Sequence, residues 1–391
     1  MSIDRNHVAD EFARRFGEPA RWVVRAPGRV NLIGEHTDYN EGFVLPLAID
    51  RAIWIALSAR DDRRVVVHSV DFDESRDFSL DELTDEAGTL NNKGSGWIEY
   101  VKGMAWSLED AGHELTGWEG VLRGDVPVEA GLSSSAALEM AAARAFAAAG
   151  GLDWNPVGMA RLGQRAENEW IGLQCGIMDQ LICAAGQSGH ALLIDCRSLK
   201  TEPVPFPSGV AVVILDTATR RGLVESAYNQ RRAQCQTAAE FFGAAALRDV
   251  DLEVFERLAA DLEEPAHSRA RHVITENSRT LQAVEAMRRG ELCALGVLMN
   301  KSHASLRDDY EVSSDALDAM VESAMAHPAC YGARMTGAGF GGCAVAIVDA
   351  GAAADFVEAV SADYQKKTGH KPAIYVCRPS DGAEIFAGDA E

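Results

Sequence analysis

The chain has 391 residues, 47% of them hydrophobic and 25% charged, with a net charge of −22. That length suggests two domains of ordinary size, each able to bury a core without disulfide staples. The acidity excludes nucleic acid and anionic membranes as main partners.

No apolar run approaches the roughly 18 residues that span a bilayer. The first twenty residues are charged and lack an apolar h-region, so a cytoplasmic protein is expected. The eight cysteines form no CxxC pair and no zinc spacing, and they are expected to be free thiols. A field this negative repels anionic ligands, so a site for one here needs local positive charge from backbone N–H groups, arginine or a divalent ion.

An amphipathic helix is predicted over residues 4–16, followed by strands at 22–25, 52–57 and 64–69. The Ala-rich stretch 133–149 reads as a helix stopped by Gly150-Gly151. Asn155-Pro156 then supplies an N-cap and an N1 proline for a helix that runs to about Gly172. Residues 190–196 read as a strand. Pro203, Pro205 and Pro207 alternate in a segment that can be neither a central strand nor a helix interior, so the domain boundary is placed there. The C-terminal half begins with a buried strand at 210–215. Helices are expected near 225–242, 267–289, 294–303, 314–326 and 353–366, with strands around 334–348 and at 374–377. Mixed strands and helices give an α+β or α/β class.

Three stretches carry chemistry. In the first, residues 125–139, Gly131 and three serines lead straight into the Ala-rich helix. The first N–H groups of a helix lack intrahelical partners and, with the macrodipole, attract anions. Read alone, this is an anion loop for a polyphosphate or a serine-capped helix; it is neither a Walker loop nor a dinucleotide fingerprint. In the second, the cluster Glu35, His36, Thr37, Asp38 and Tyr39 offers hydrogen-bond partners for hydroxyl groups, or else caps a turn. In the third, Asp179 stands alone among apolar neighbours in Cys175–Cys183, so it is either paired or functional. A glycine-dense run, Arg334–Cys343, lets backbone approach another group closely.

Pro127-x-x-x-Gly131-Leu132-Ser133-Ser134-Ser135-Ala136-Ala137 resembles the phosphate loop of the GHMP kinases. The run from Gly28 to Tyr39, GRVNLIGEHTDY, resembles the signature of the galactokinase branch of that family. GIMDQ at 176–180 and the glycine run at 334–343 match further family motifs, and the resemblance extends from about Arg25 to Arg378. It implies an α+β fold of two domains. Residues 1–205 would be like the second domain of ribosomal protein S5, and residues 206–391 ferredoxin-like, with the active site between them.

It also implies an ATP-dependent, Mg²⁺-requiring kinase, commonly monomeric, that phosphorylates the anomeric hydroxyl of galactose at the entry to galactose catabolism. On that resemblance Asp179 and Arg29 are catalytic. Glu35, His36, Thr37, Asp38, Asp179 and Tyr228 bind the sugar. Ala130, Gly131, Leu132, Ser133, Ser134 and Ser135, with Trp97, bind ATP. Ser135 and Glu167 hold the metal. Glu129 departs from the pattern, since galactokinases usually carry glycine there. A kinase for N-acetylgalactosamine or arabinose and a non-catalytic sugar sensor are the competing readings; the complete Ser133–Ala137 run counts against the sensor.

Overall fold

The structure is a computed structural model that describes residues 3–84, 90, 94–128, 130–220 and 224–388. Glu129 lies outside the described residues. The N-terminal half holds α1 (Arg5–Phe16), β1 (Trp22–Asn31), β2 (Phe43–Val44), β3 (Pro46–Ala59), β4 (Arg64–Ser69) and β5 (Glu74–Ser79). It continues with α2 (Ile98–Asp110), β6 (Trp118–Gly124), α3 (Ser134–Gly150), α4 (Pro156–Arg165), α5 (Met178–Ala185), β7 (His190–Asp195) and β8 (Lys200–Pro205). The C-terminal half holds β9 (Val210–Asp216), α6 (Val224–Phe241), α7 (Leu252–Leu258), α8 (Ala266–Arg288), α9 (Leu292–Asp308) and α10 (Asp315–Met325). It ends with β10 (Cys330–Thr336), β11 (Cys343–Asp349), α11 (Ala353–Thr368), β12 (Ala373–Cys377) and β13 (Glu384–Ala387).

Local chemistry sets several of these boundaries. Asp4 caps α1 by accepting from the N–H of His7 at 3.1 Å, and Gly17 ends it in the left-handed conformation. Asn155 caps α4 through the N–H of Gly158, with Pro156 at the first position. The helix expected to run on to Gly172 changes to a π-turn over Ala166–Ile171, a device frequent at functional sites.

The first sheet has the order β13-β1-β3-β6-β4-β5, and α3 packs across β1 and β3. The alanines of α3 are nearly all buried, and their small side chains let the helix lie close to the sheet. The second sheet, antiparallel in the order β10-β11-β9-β12, is backed by its own apolar core from α6, α8, α10 and α11. A small third sheet pairs β2, β7 and β8.

The proline-rich segment does not serve as a simple linker. It forms β8, an edge strand in which Pro203 and Pro205 face Leu192 and His190 of β7, and edges are where proline is tolerated. The last strand crosses back as well. β13 pairs with β1 through Trp22↔Ala387 and Arg25↔Glu384, so residues beyond about 380 complete the N-terminal sheet. A cut at 205/206 therefore separates strands that share one sheet. The sequence pattern predicts no element at β2, β5, β6, α2, α5, α7, β8 or β13. Glu74–Ser79 has little apolar alternation and β13 is only four residues long. Among the described residues no helix is long and apolar enough to cross a membrane, and all eight cysteines are free.

Candidate active site

A bulge shifts the register of β1 between Pro27 and Arg29. The Arg29 N–H then leaves the ladder for the Leu132 carbonyl at 3.1 Å, which ties the strand end to the serine loop. From this point the Arg29 side chain, 4% exposed, reaches α5. Its Nε and Nη2 donate to the two oxygens of Asp179 at 2.8 and 2.7 Å, and its Nη1 donates to the Gly131 carbonyl at 2.6 Å. Such a fork fixes both orientation and charge. Burial works against the Arg29 charge, but Asp179 more than offsets it and the guanidinium stays ionised.

Ser133 stands at the start of α3 with left-handed backbone, φ 57°, and makes no capping bond. Its hydroxyl donates to Asp179 instead. Ala137 is the first residue of the helix whose N–H finds a carbonyl, that of Ser133, at 2.9 Å. The N–H groups of Ser134 and Ser135 are thus helix-start donors, and both residues line the cleft. The turn between β10 and β11 closes the far wall. Gly337 has φ 83°, and a Cβ on it would stand 3.0 Å from the Gly131 carbonyl, so glycine favours this approach of two backbones on both counts.

Of the cluster at 35–39, Glu35, His36 and Asp38 line the same cleft, of about 960 Å³, together with Arg29, Asp179, Glu167, Tyr228 and Trp97. Glu35 accepts from Arg334 Nη2 at 2.7 Å, from Asn31 Nδ2 at 3.2 Å and from the Gly337 N–H at 3.0 Å. His36 holds a left-handed backbone, φ 62°. Its Nδ1 meets the Tyr39 hydroxyl at 2.8 Å, and its buried Nε2 has no partner in the protein. Burial drives the His36 imidazole down to about 3, so it is neutral at physiological pH. Asp38 is pushed the other way, up to about 7, by burial and then by the charge of Asp179. The Tyr228 ring lies 5.7 Å from His36 and 5.2 Å from Tyr39, forming an aromatic wall. Trp97 is held by Nε1 donating to Glu74 at 2.7 Å.

Glu167 projects from the π-turn, 4% exposed. Its carboxylate accepts from Gln180 Nε2 at 2.6 Å and from the Cys175 thiol at 3.2 Å. Burial pushes its pKa up, with Asp179 adding to the shift, while a hydrogen bond from Ser135 opposes it. Among the described residues no group of three or more His, Cys, Asp and Glu side chains is placed to hold a metal ion. One carboxylate and one hydroxyl at the start of a phosphate loop nevertheless fit Mg²⁺, which takes few protein oxygens and fills its shell with phosphate and water.

A galactokinase galactose-binding signature matches residues 10–59, a GHMP kinases N terminal domain matches residues 99–187 and a GHMP kinases C terminal domain matches residues 283–366. A galactokinase of Roseiflexus sp. (strain RS-1) is 46% identical over 385 residues, 97% of either chain. The chain belongs to the galactokinase branch of the GHMP kinases. A crystal structure of Lactococcus lactis galactokinase complexed with galactose superimposes with a TM-score of 0.91 at 37% identity, covering 96% of this chain and 98% of that one. Mevalonate kinase of Methanococcus jannaschii, at 18% identity, TM-score 0.67 and 92% and 98% coverage, shares the fold. The expected two-domain α+β GHMP fold is therefore the fold of this galactokinase-family chain.

Not every residue expected at the site reaches the cleft. Thr37 does not line it. Its buried hydroxyl lies 2.8 Å from the Gly34 carbonyl and 2.7 Å from that of Phe43, tying the sugar loop to β2. Ala130 and Leu132 are also buried and do not line the cleft. Conversely, Arg334, Glu139, Gln180 and Glu276 escaped the sequence reading. Gln180 lies inside the GIMDQ motif, and Glu139 is a lone acid in an alanine helix. Glu276 sits 241 residues from the loop it holds, and no local pattern announces it.

Proposed function

We infer that the protein transfers the γ-phosphoryl group of ATP to the anomeric hydroxyl of D-galactose, giving α-D-galactose 1-phosphate and ADP. The carrying observation is the Arg29–Asp179 fork, which is bonded on one side to the Gly131–Ser133 phosphate loop and opens on the other to the cleft shared with His36, Asp38 and Tyr228. Sugar and nucleotide chemistry meet at those two side chains.

The anomeric oxygen forms a bond to the γ-phosphorus as the bond from that phosphorus to the bridging β–γ oxygen breaks, and the leaving oxygen departs on ADP. Asp179 takes the proton from the sugar hydroxyl, acting as general base. Arg29 orients Asp179 through its fork and offsets charge on the reacting oxygens, so positioning supplies much of the rate. His36 and Asp38 bind sugar hydroxyls. An epimer leaves these buried groups without partners, which is how such a pocket discriminates. The N–H groups of Ser134 and Ser135 receive phosphate oxygens, and Trp97 flanks the adenine. Ser135 and Glu167 would hold Mg²⁺. When bound, the ion would neutralise charge on the phosphates.

Eight free thiols suit a reducing compartment, and the reading places the enzyme in the cytoplasm as a monomer. The test is ADP release measured with galactose, glucose, N-acetylgalactosamine and arabinose at matched concentrations. Galactose is expected to give a kcat/KM at least ~100-fold above glucose. A higher value with either of the last two sugars would overturn the substrate assignment.

A further inference from the structure

Behind Glu167 lie two more polar side chains, Glu139 on α3 and Gln180 on α5, both completely buried. Gln180 Nε2 donates to Glu167 Oε2 at 2.6 Å and to Glu139 Oε2 at 3.0 Å. The Cys175 thiol donates to the same Glu167 oxygen. Every one of these interior donors falls on Oε2, leaving Oε1 free of them.

The two acceptor oxygens, Glu167 Oε2 and Glu139 Oε2, set which way round the amide sits. Burial, then the charge of Glu167, pushes the Glu139 carboxyl well above its ordinary range, so the Glu167 carboxylate is the group that a turned-over Gln180 would meet with its oxygen, while Glu139 Oε2 receives the second amide hydrogen. This order has a cost, because Gln180 Oε1 and Glu139 Oε1 are buried without any partner. A fully apolar core at these positions avoids orphaned acceptors, so packing alone gives no reason for the pair.

The charge balance gives a reason. An arginine or lysine behind Glu167 would hold it equally well but cancel its negative charge. An amide and a thiol are neutral. They orient the carboxylate while leaving its charge for a cation on the cleft side, as outer partners of metal ligands do.

We propose that Gln180, locked in orientation by Glu139, is a positioning residue that holds Glu167 ready for the nucleotide-bound divalent ion without neutralising it. The proposal rests on the reading of Glu167 as a metal ligand. Glu139 and Gln180 touch no substrate; they act through Glu167.

The test is Mn²⁺ binding to the full-length protein with a non-hydrolysable ATP analogue, followed by electron paramagnetic resonance, with galactose affinity measured in parallel. Gln180→Met keeps length and volume but loses the donor. It is expected to weaken Mn²⁺ binding ~10- to 100-fold while galactose affinity stays within twofold. Glu139→Leu, which frees the amide to turn, is expected to weaken Mn²⁺ in the same direction. Glu139→Gln, which can still offer an oxygen to Gln180, is expected to restore it. If Gln180→Met does not fold, Gln180→Leu carries the same expectation.

Mn²⁺ affinity within twofold of the parent in the Gln180 variant, alongside a large loss in Glu167→Gln, overturns the positioning role and leaves the ligand role standing. Unchanged affinity in Glu167→Gln overturns both. Parallel loss of galactose affinity in Gln180→Met marks general damage to the fold and also overturns the proposal.

Discussion

Asp38 and Asp179 share one cleft, and only Asp179 has an arginine fork. Burial first, and then the charge of Asp179, disfavour the ionised form of Asp38. Its carboxyl has an ordinary value of 3.8 and stands at about 7 in the fold. Between those values the native state binds the extra proton, so stability falls as pH rises from about 4 to 7, and the full cost remains above 7. Asp38→Asn is expected to stabilise the protein by about 1–3 kcal/mol at pH 8, with the gain shrinking towards pH 4. Urea denaturation across that range checks it. The same titration predicts a galactose KM that rises as pH falls below 7, where Asp38 loses its charge. His36, held down to about 3, stays neutral throughout that range. For the chemistry itself, Asp179→Asn and Arg29→Ala are each expected to lower kcat at least ~100-fold. Asp179→Asn should change thermal stability far less than activity, since the Asp179 side chain is 28% exposed on the cleft, whereas Arg29→Ala removes a buried guanidinium and is expected to lower stability as well. Near-normal turnover in both variants would remove them from the mechanism.

Elements bring these residues together by backbone contact more than by side-chain packing. The bulge in β1, the start of α3 and the β10–β11 turn meet where Gly131 faces Gly337. A similar close approach fixes Asp38. A Cβ placed on Gly176 would stand 1.8 Å from Asp38 Oδ2, a separation no structure tolerates. Gly176→Ala must therefore displace Asp38. The expected result is a galactose KM raised by at least ~10-fold with nucleotide affinity unchanged, measured by steady-state kinetics and nucleotide titration. An unaltered galactose KM would mean that Asp38 can move without consequence for the sugar. The π-turn at Ala166–Ile171 has a comparable role, since it turns Glu167 towards the cleft at the point where α4 ends.

On the scale of the whole molecule, the sugar loop belongs to the N-terminal half but is held by the C-terminal half. Glu276 on α8, fully buried, accepts from the N–H groups of Gly34 and Glu35 at 3.0 and 3.4 Å and from the Ser302 hydroxyl at 2.6 Å. Arg279 Nε donates to its other oxygen at 2.7 Å. His272 Nε2 lies 3.1 Å from the Glu35 carbonyl, and Arg334 on β10 pairs with the Glu35 side chain. Burial opposes the charge on Glu276, but Arg279 and its neighbours hold it at about 2. A carboxyl depressed from 4.5 contributes stability that is fully present above 4.5 and lost as pH falls towards 2. Glu276→Gln is expected to cost about 3–5 kcal/mol at neutral pH, the difference from the parent narrowing below pH 4.5. Chemical denaturation at pH 7 and pH 3.5 checks both the size and the sign. A loss that does not depend on pH would assign the effect to packing instead of charge.

What the sequence determined by itself was local chemistry: the capped and glycine-stopped helices, the serine turn entering α3, the apolar β9, and the motifs that name the family. Periodicity, caps and turn residues act over a few positions and can be read there. The tertiary structure decided which of those residues face the cleft. It turned Thr37, Ala130 and Leu132 inward, made an edge strand of the proline segment, and returned β13 to the first sheet. It also set Gln180 and Glu139 behind Glu167, and Glu276 behind a loop 241 residues away. These arrangements depend on which buried donors find acceptors once distant elements pack. That pairing is fixed by the satisfaction of polar groups across the whole fold, and no window of sequence contains it.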